Sequence, residues 1–233
     1  MRLGLTTTTV GGMVNIFDSE QRRFIKGGVT IDASGVTADN DGLKILKAGT
    51  VLGKLESGLY VPLVDKVAAT LATGVVGSNN AITFTAVTPG TGSEAIKVQL
   101  LDPSAISQAL AVSVSGDTIV VSLKTGDSKA IESTAEEVIA AVNAHLVAKT
   151  LVTAANTGAS TGKGVVAAVA ATALDDGGDW NVTPSCVLAE DVDVTDDVDT
   201  AASAVDMARL IGARLPATIQ PEVLAVLKGI SVV

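Results

Sequence analysis

Apolar and polar positions alternate in short runs along most of the chain, and glycine interrupts the runs at close intervals. A period of two places successive side chains on opposite faces of an extended strand. Over residues 41–63, DGLKILKAGTVLGKLESGLYVPL, the pattern predicts two short strands hinged at Gly58, with Gly49 and Gly53 as further breakers. Leu43, Ile45, Val51, Leu52, Leu55, Tyr60, Val61 and Leu63 form the expected inward set. Phe24, Val29, Ile31 and Val36 extend it upstream. Asp39-Asn40-Asp41-Gly42 predicts a turn, because short polar side chains bond locally and glycine accepts positive φ. Residues 213–233, ARLPATIQPEVLAVLKGISVV, predict a strand end, a proline stop, a helix over about 221–228 and a last strand. Pro221 suits a first helical turn and Gly229 a stop.

The texture changes near residue 67, where the chain becomes rich in Ala, Thr and Gly. AITFTAV (81–87) and AIKVQLL (95–101) read as strands, and residues 110–123 as a hairpin about Gly116-Asp117. Ser133-Thr134-Ala135-Glu136 predicts a capping box with Ser133 as N-cap. Val138, Ile139, Val142, His145 and Leu146 then recur at helical spacing. Residues 152–155 and 165–174 predict further strands, the latter a buried strand or strand pair, and the acidic, glycine-rich 175–179 closes the segment. From Trp180 the strand pattern resumes at 187–192 and 205–215. The expected organisation is mainly β with an α+β part. Residues 1–21 form an arm, 22–66 and 180–233 one discontinuous β-rich domain, and 67–179 an inserted α+β surface domain. The arm's β-branched polar residues favour extended backbone, and the arm reads either as disordered or as ordered by adding to a neighbour's sheet edge.

Composition narrows the function. The chain is 47% hydrophobic but 2% aromatic, so its core is assembled from small aliphatic side chains. A net charge of −9 argues against nucleic-acid binding, which needs a basic face. A single cysteine, Cys186, excludes an intrachain disulfide. Met1-Arg2 is followed by a threonine run, unlike a secretory signal, and no segment approaches the ~18 apolar residues of a membrane span.

Gly158-Ala-Ser-Thr-Gly-Lys-Gly164 has three residues between its first glycines where a phosphate loop has four, and Gly164 stands where Mg²⁺ needs a hydroxyl. It reads as an inter-strand loop. Residues 164–208 carry ten acids and no Lys or Arg. Three readings apply to the run 190–199: a solvated edge, a Ca²⁺ site of hard oxygens, or an acidic rim that meets a basic patch on a neighbouring subunit. His145 and Cys186 read as packed residues, and the Asn181-Val-Thr183 sequon as chance. Neither catalytic residues, metal ligands nor a cofactor are expected, and the chain is not expected to be an enzyme.

The AGTVLGK hairpin, the LAEDVD strand and the ARLP…LKGI ending, in this order, resemble the head decoration (capsid cement) proteins of tailed bacteriophages, the lambda-like type. The resemblance covers roughly residues 22–66 and 182–233. The insert resembles a module of phage structural proteins through VTAANTGASTGKG and AATALDDGG. The resemblance implies a β-tulip-like decoration domain, a homotrimer, and a late structural protein made in the host cytoplasm. It would bind the major capsid protein on the outer surface of the virion head and stabilise the mature shell. The implied capsid-binding arm includes Thr6, Thr7, Thr8, Thr9, Val10, Val14, Ile16 and Phe17. Arg209, Arg214, Leu224 and Leu227 are the expected oligomer or capsid contacts. The alternative is a head-fibre or tail-associated protein whose insert adheres to a host surface or glycan. No nucleic-acid or membrane partner is expected.

Overall fold

The computed structural model describes residues 15–233. The chain divides into two compact units, Met1–Val64 with Asn181–Val233, and Asp65–Trp180. Both are built mostly of strands with few helices, a β-rich α+β fold.

The first segment supplies β1 (Arg23–Phe24), β2 (Val29–Ile31), β3 (Ile45–Leu46), β4 (Val51–Lys54) and β5 (Tyr60–Pro62). The intervening unit holds β6 (Thr70–Thr73), β7 (Ile82–Ala86), β8 (Lys97–Leu101), β9 (Ala111–Ser115), β10 (Thr118–Ser122), α1 (Ala135–Ala144), α2 (Ala148–Leu151), β11 (Val152–Asn156) and β12 (Val169–Ala173). The returning chain adds β13 (Pro184–Leu188), β14 (Val192–Asp193), β15 (Thr200–Ala202), β16 (Ala204–Leu210), α3 (Pro221–Val226) and β17 (Ile230–Val232).

In the discontinuous unit the main sheet runs β1-β16-β13-β4-β5-β2-β15, with β17 parallel to β16. Strands from the two chain segments therefore interleave. The β4–β5 hairpin turns at Gly58, whose φ of 92° is strained for any side chain. Leu52 stands opposite Cys186 on one side and Pro62 on the other, so the three share a face. That face packs with Ile31, Leu188 and Ala204. Val61 pairs with Gly53 and lies on the opposite face, where a methyl on Gly35 would sit 2.5 Å from its Cγ1. Leu52 and Val61 are both buried, but the sheet is covered on both sides and they serve different sides of it.

Three expectations change here. Phe24 is not inward. It sits on the terminal strand β1, is 47% exposed, and has a neighbouring strand on one side only. Residues 15–18 are not part of a free arm. Ile16 is fully buried, its carbonyl accepts from Ile211 N–H, Phe17 bridges to Leu210, and Asp18 N–H donates to Arg209 O. The strand read over 205–215 ends at Leu210, because Gly212 turns and donates to Val233 O.

The contiguous unit contains a four-stranded sheet, β12-β8-β10-β9, and a three-stranded sheet, β11-β7-β6. β9 and β10 form the expected hairpin at Gly116, and β8 and β10 run parallel. The core holds Ile82, Phe84, Val98, Leu100, Ile119, Val121 and Leu123, closed by Val138 and Val142 of α1. The cap of α1 lies one residue later than its sequence suggests. Thr134 accepts from Glu137 N–H and Glu137 reaches back to Thr134 N–H. Ser133 is fully buried and its hydroxyl accepts from Lys124 N–H, so it is committed elsewhere. The helix stops at Ala144. His145 is the C-cap, its Nδ1 accepts from Ala148 N–H, and Leu146 is 76% exposed instead of packed. Residues 165–174 are not a buried strand. β12 is a sheet edge whose alanines face outward, a small loss because a methyl carries little apolar area.

Candidate interaction surface

The acidic chain has five arginines, and four of them gather at the β1 end of the main sheet. The cause is local. Residues 15–25 run antiparallel along β16, so QRRF faces the alternating DMAR of 206–209. Arg23 forks onto Asp206 through Nε (2.7 Å) and Nη2 (2.9 Å). Arg23's donated bonds hold the Asp206 carboxyl below its ordinary range. Arg209 pairs with Asp18 at 3.0 Å, and Arg214 donates to Asn15 O at 2.9 Å. These contacts, with buried Ile16, fasten the point from which residues 1–14 continue.

Arg22 differs from the other three. Its guanidinium stacks 4.7 Å from the Phe17 ring centre and 5.7 Å from that of Phe24, and it makes no ion pair with a described residue. Met207, opposite Arg23 on β16, is 45% exposed. Aromatic rings, Met and Arg together are the side chains enriched in protein interfaces. An arginine stacked on rings keeps its donors directed outward for a carboxylate.

The acidic run lies at the other end of the same sheet, before β15. Its carboxylates go to separate partners. Asp191 accepts from Ala48 N–H and pairs with Lys47, Asp197 pairs with Lys44, and Asp199 accepts from Ala33 N–H. The hydroxyl and backbone of Thr195 hold Asp193 below the usual carboxylate range. Among the described residues no three such groups converge as a metal site would require. Asp193, Val194, Thr195, Asp196, Val198 and Thr200 line a hollow of about 450 Å³, with Val198 63% exposed in its wall.

The contiguous unit carries a cleft of about 410 Å³ lined by Lys66, Ser93, Asp117, Leu151 and Asp179 among others. Lys66 Nζ lies 4.7 Å from the Trp180 ring centre. The Thr91 hydroxyl, more than Lys66, holds the Asp179 carboxyl low. The loop 158–164 meets the start of α1, where Ala135 and Glu136 N–H donate to the carbonyls of Gly164 and Gly162. Those donors, which a phosphate would need, are taken by the loop itself. Cys186 is buried in the main sheet, and burial pushes its thiol up to about 11. No helix among the described residues is long and apolar enough to cross a membrane.

Of the expected contact residues, Thr6 to Val10 and Val14 lie outside the described residues. Ile16 and Leu227 belong to the unit's own core, so neither is available to a partner. Leu224 is half-buried, and Arg209 and Arg214 fasten residues 15–18. Arg22, Phe24 and Met207 were missed. Their signal is the dense QRRF run facing a strand that carries Met and Arg on one parity. Comparison with models of known families, with curated proteins and with solved structures finds no match.

Proposed function

We propose that the chain is a structural virion protein that binds the exterior of a phage capsid as a homotrimer and stabilises the mature head. The supporting observation is the anchorage of residues 15–18 on β16, by buried Ile16, Arg209 and Arg214. It gives the threonine-rich segment 1–14 a fixed origin on a compact β-rich unit. A segment so tethered suits strand addition to a shell protein, in which backbone bonds supply affinity. Binding only the expanded lattice would stabilise that lattice by mass action.

The test mixes purified undecorated heads with full-length chain and with a chain lacking residues 1–14. Full-length chain should saturate the heads in many copies and raise their resistance to rupture. The shortened chain should fold with the same circular dichroism and fail to decorate. Equal decoration by both chains would remove the proposal. The cleft beside Lys66 and Trp180 favours a second reading, an adhesive protein of head fibre or tail. Only a few copies per virion, with heads indifferent to the added chain, would favour it.

A further inference from the structure

The discontinuous unit is electrically polarised along its main sheet. Residues 15–26 and 204–214 hold five cations against three carboxylates, within a chain of net charge −9. Residues 190–199, which lead into β15, hold six carboxylates, against two cations that reach them from either side of β3, Lys44 on Asp197 and Lys47 on Asp191. β1 and β15 are the two ends of one sheet. The ends also differ in shape chemistry. At β1, the half-buried Phe17 ring and the exposed Phe24 ring flank the guanidinium of Arg22, which makes no ion pair with a described residue, and Met207 is exposed opposite Arg23. At β15 there is a hollow whose wall combines carboxylates, Asp193 and Asp196, with the exposed apolar Val198.

We propose that these two ends bind each other between copies of this chain, with the Phe17–Arg22–Phe24 cluster of one copy seated in the Asp193–Asp196–Val198 hollow of the next. Three features favour a second copy as occupant. The charges are opposite, each end offers apolar surface, and both belong to one compact unit. A β1-to-β1 contact would bring like charges together, which is unfavourable. The contact is therefore heterologous: every copy uses one surface of each kind. Repetition closes into a ring if the rotation allows it and otherwise extends as a filament. Arg22 recognises Asp193 or Asp196 as a forked donor, while the rings exclude water from the pair. Arg23, Arg209 and Arg214 are occupied within their own copy and set the local potential.

This inference rests on the self-association part of the proposed function, and its test uses no capsid, so the two fail independently. Sedimentation velocity of the full chain is measured over a wide concentration range at low and high salt. Wild-type chain should self-associate, more weakly as salt screens the contact. Arg22→Glu and Asp196→Lys are both at exposed positions, and circular dichroism should be unchanged. Each should raise the self-association Kd at least about tenfold, the scale expected for like charges placed together. Mixed in equal amounts, the two variants should associate with each other although neither does so alone, through one wild-type contact and one charge-swapped contact. The double variant should regain self-association. Monomeric wild-type chain at the highest concentration would overturn the proposal. So would wild-type behaviour of Asp196→Lys alone, which would indicate a contact between like ends. A melting temperature raised by Ca²⁺, with unchanged sedimentation, would assign the hollow to a cation instead.

Discussion

Leu52→Ala tests the interleaved sheet where its two chain segments meet. Leu52 is fully buried on β4, between Cys186 of β13 and Pro62 of β5. The substitution removes three carbon groups, at about 0.8 kcal/mol each, or roughly 2.4 kcal/mol of transfer free energy. The site has little freedom to collapse. Leu188 N–H donates to Thr50 O on one side of the strand and Leu63 N–H to Val51 O on the other. The unfilled volume should then add about 1–2 kcal/mol, giving about 3.5–4.5 kcal/mol, within the range for buried leucines. With a urea slope near 1.5 kcal/mol/M for a unit of this size, the midpoint should fall by about 2–3 M. Far-ultraviolet circular dichroism follows both units, whereas the only tryptophan, Trp180, lies in the contiguous unit. The dichroism should therefore show an early transition that Trp-selective fluorescence does not. A loss below about 0.5 kcal/mol, the size of an ordinary surface substitution, would refute the assigned register. An equal shift in the Trp180 signal would refute the independence of the units.

Four further outcomes are expected. Gly53→Ala should cost about 2–3 kcal/mol in the same urea titration, since its methyl would sit 2.2 Å from Val182 Cγ2 and 2.7 Å from Thr183 O. Thr134→Ala should cost the contiguous unit about 1 kcal/mol through the lost cap, read from the Trp180 transition. Ser133→Ala should cost about 1 kcal/mol, because it strands the part-buried Lys124 N–H without loss of a helix cap. The Cys186 thiol titrates near 9 when unfolded and about 11 when folded, so above pH 9 the unfolded chain binds fewer protons. Its contribution is complete below pH 9 and falls away as pH rises towards 11, by roughly 2–3 kcal/mol. Cys186→Ala should flatten that alkaline slope in denaturation midpoints.

Local signals in the sequence reported local structure well. Gly58 marked the β4–β5 turn, Gly116-Asp117 the β9–β10 hairpin, and Pro221 the start of α3. Alternation also marked Leu52 and Val61 as buried, but could not say that they serve opposite faces, because strand pattern is silent on how many layers cover a sheet. Ser133 and Thr134 both carry a cap-forming hydroxyl, and only the tertiary bond from Lys124 decides between them. Phe24 was misread because burial of an aromatic is a trend set by its neighbours, and β1 has few. The β1 cluster escaped notice for a related reason. Arg22 and Met207 are 185 residues apart and come to neighbouring positions only through the antiparallel pairing of β1 with β16, which sets Met207 opposite Arg23.

The interleaving of the main sheet also fixes a timetable for synthesis. β4 and β5 leave the ribosome early, yet β13 and β16, which pair beside them, follow only after the whole of Asp65–Trp180. At ordinary translation speeds that delay is roughly six to twenty seconds. The contiguous unit owns every strand of its two sheets and can fold within the interval. The early strands meanwhile carry an open edge at β4, of the kind that recruits foreign strands. Asn181 ends the wait. Its side chain donates to Pro62 O and accepts from Val64 N–H, tying the returning chain to the point where it departed. A nascent chain stalled before this residue would present the unguarded edge to its neighbours on the same polysome.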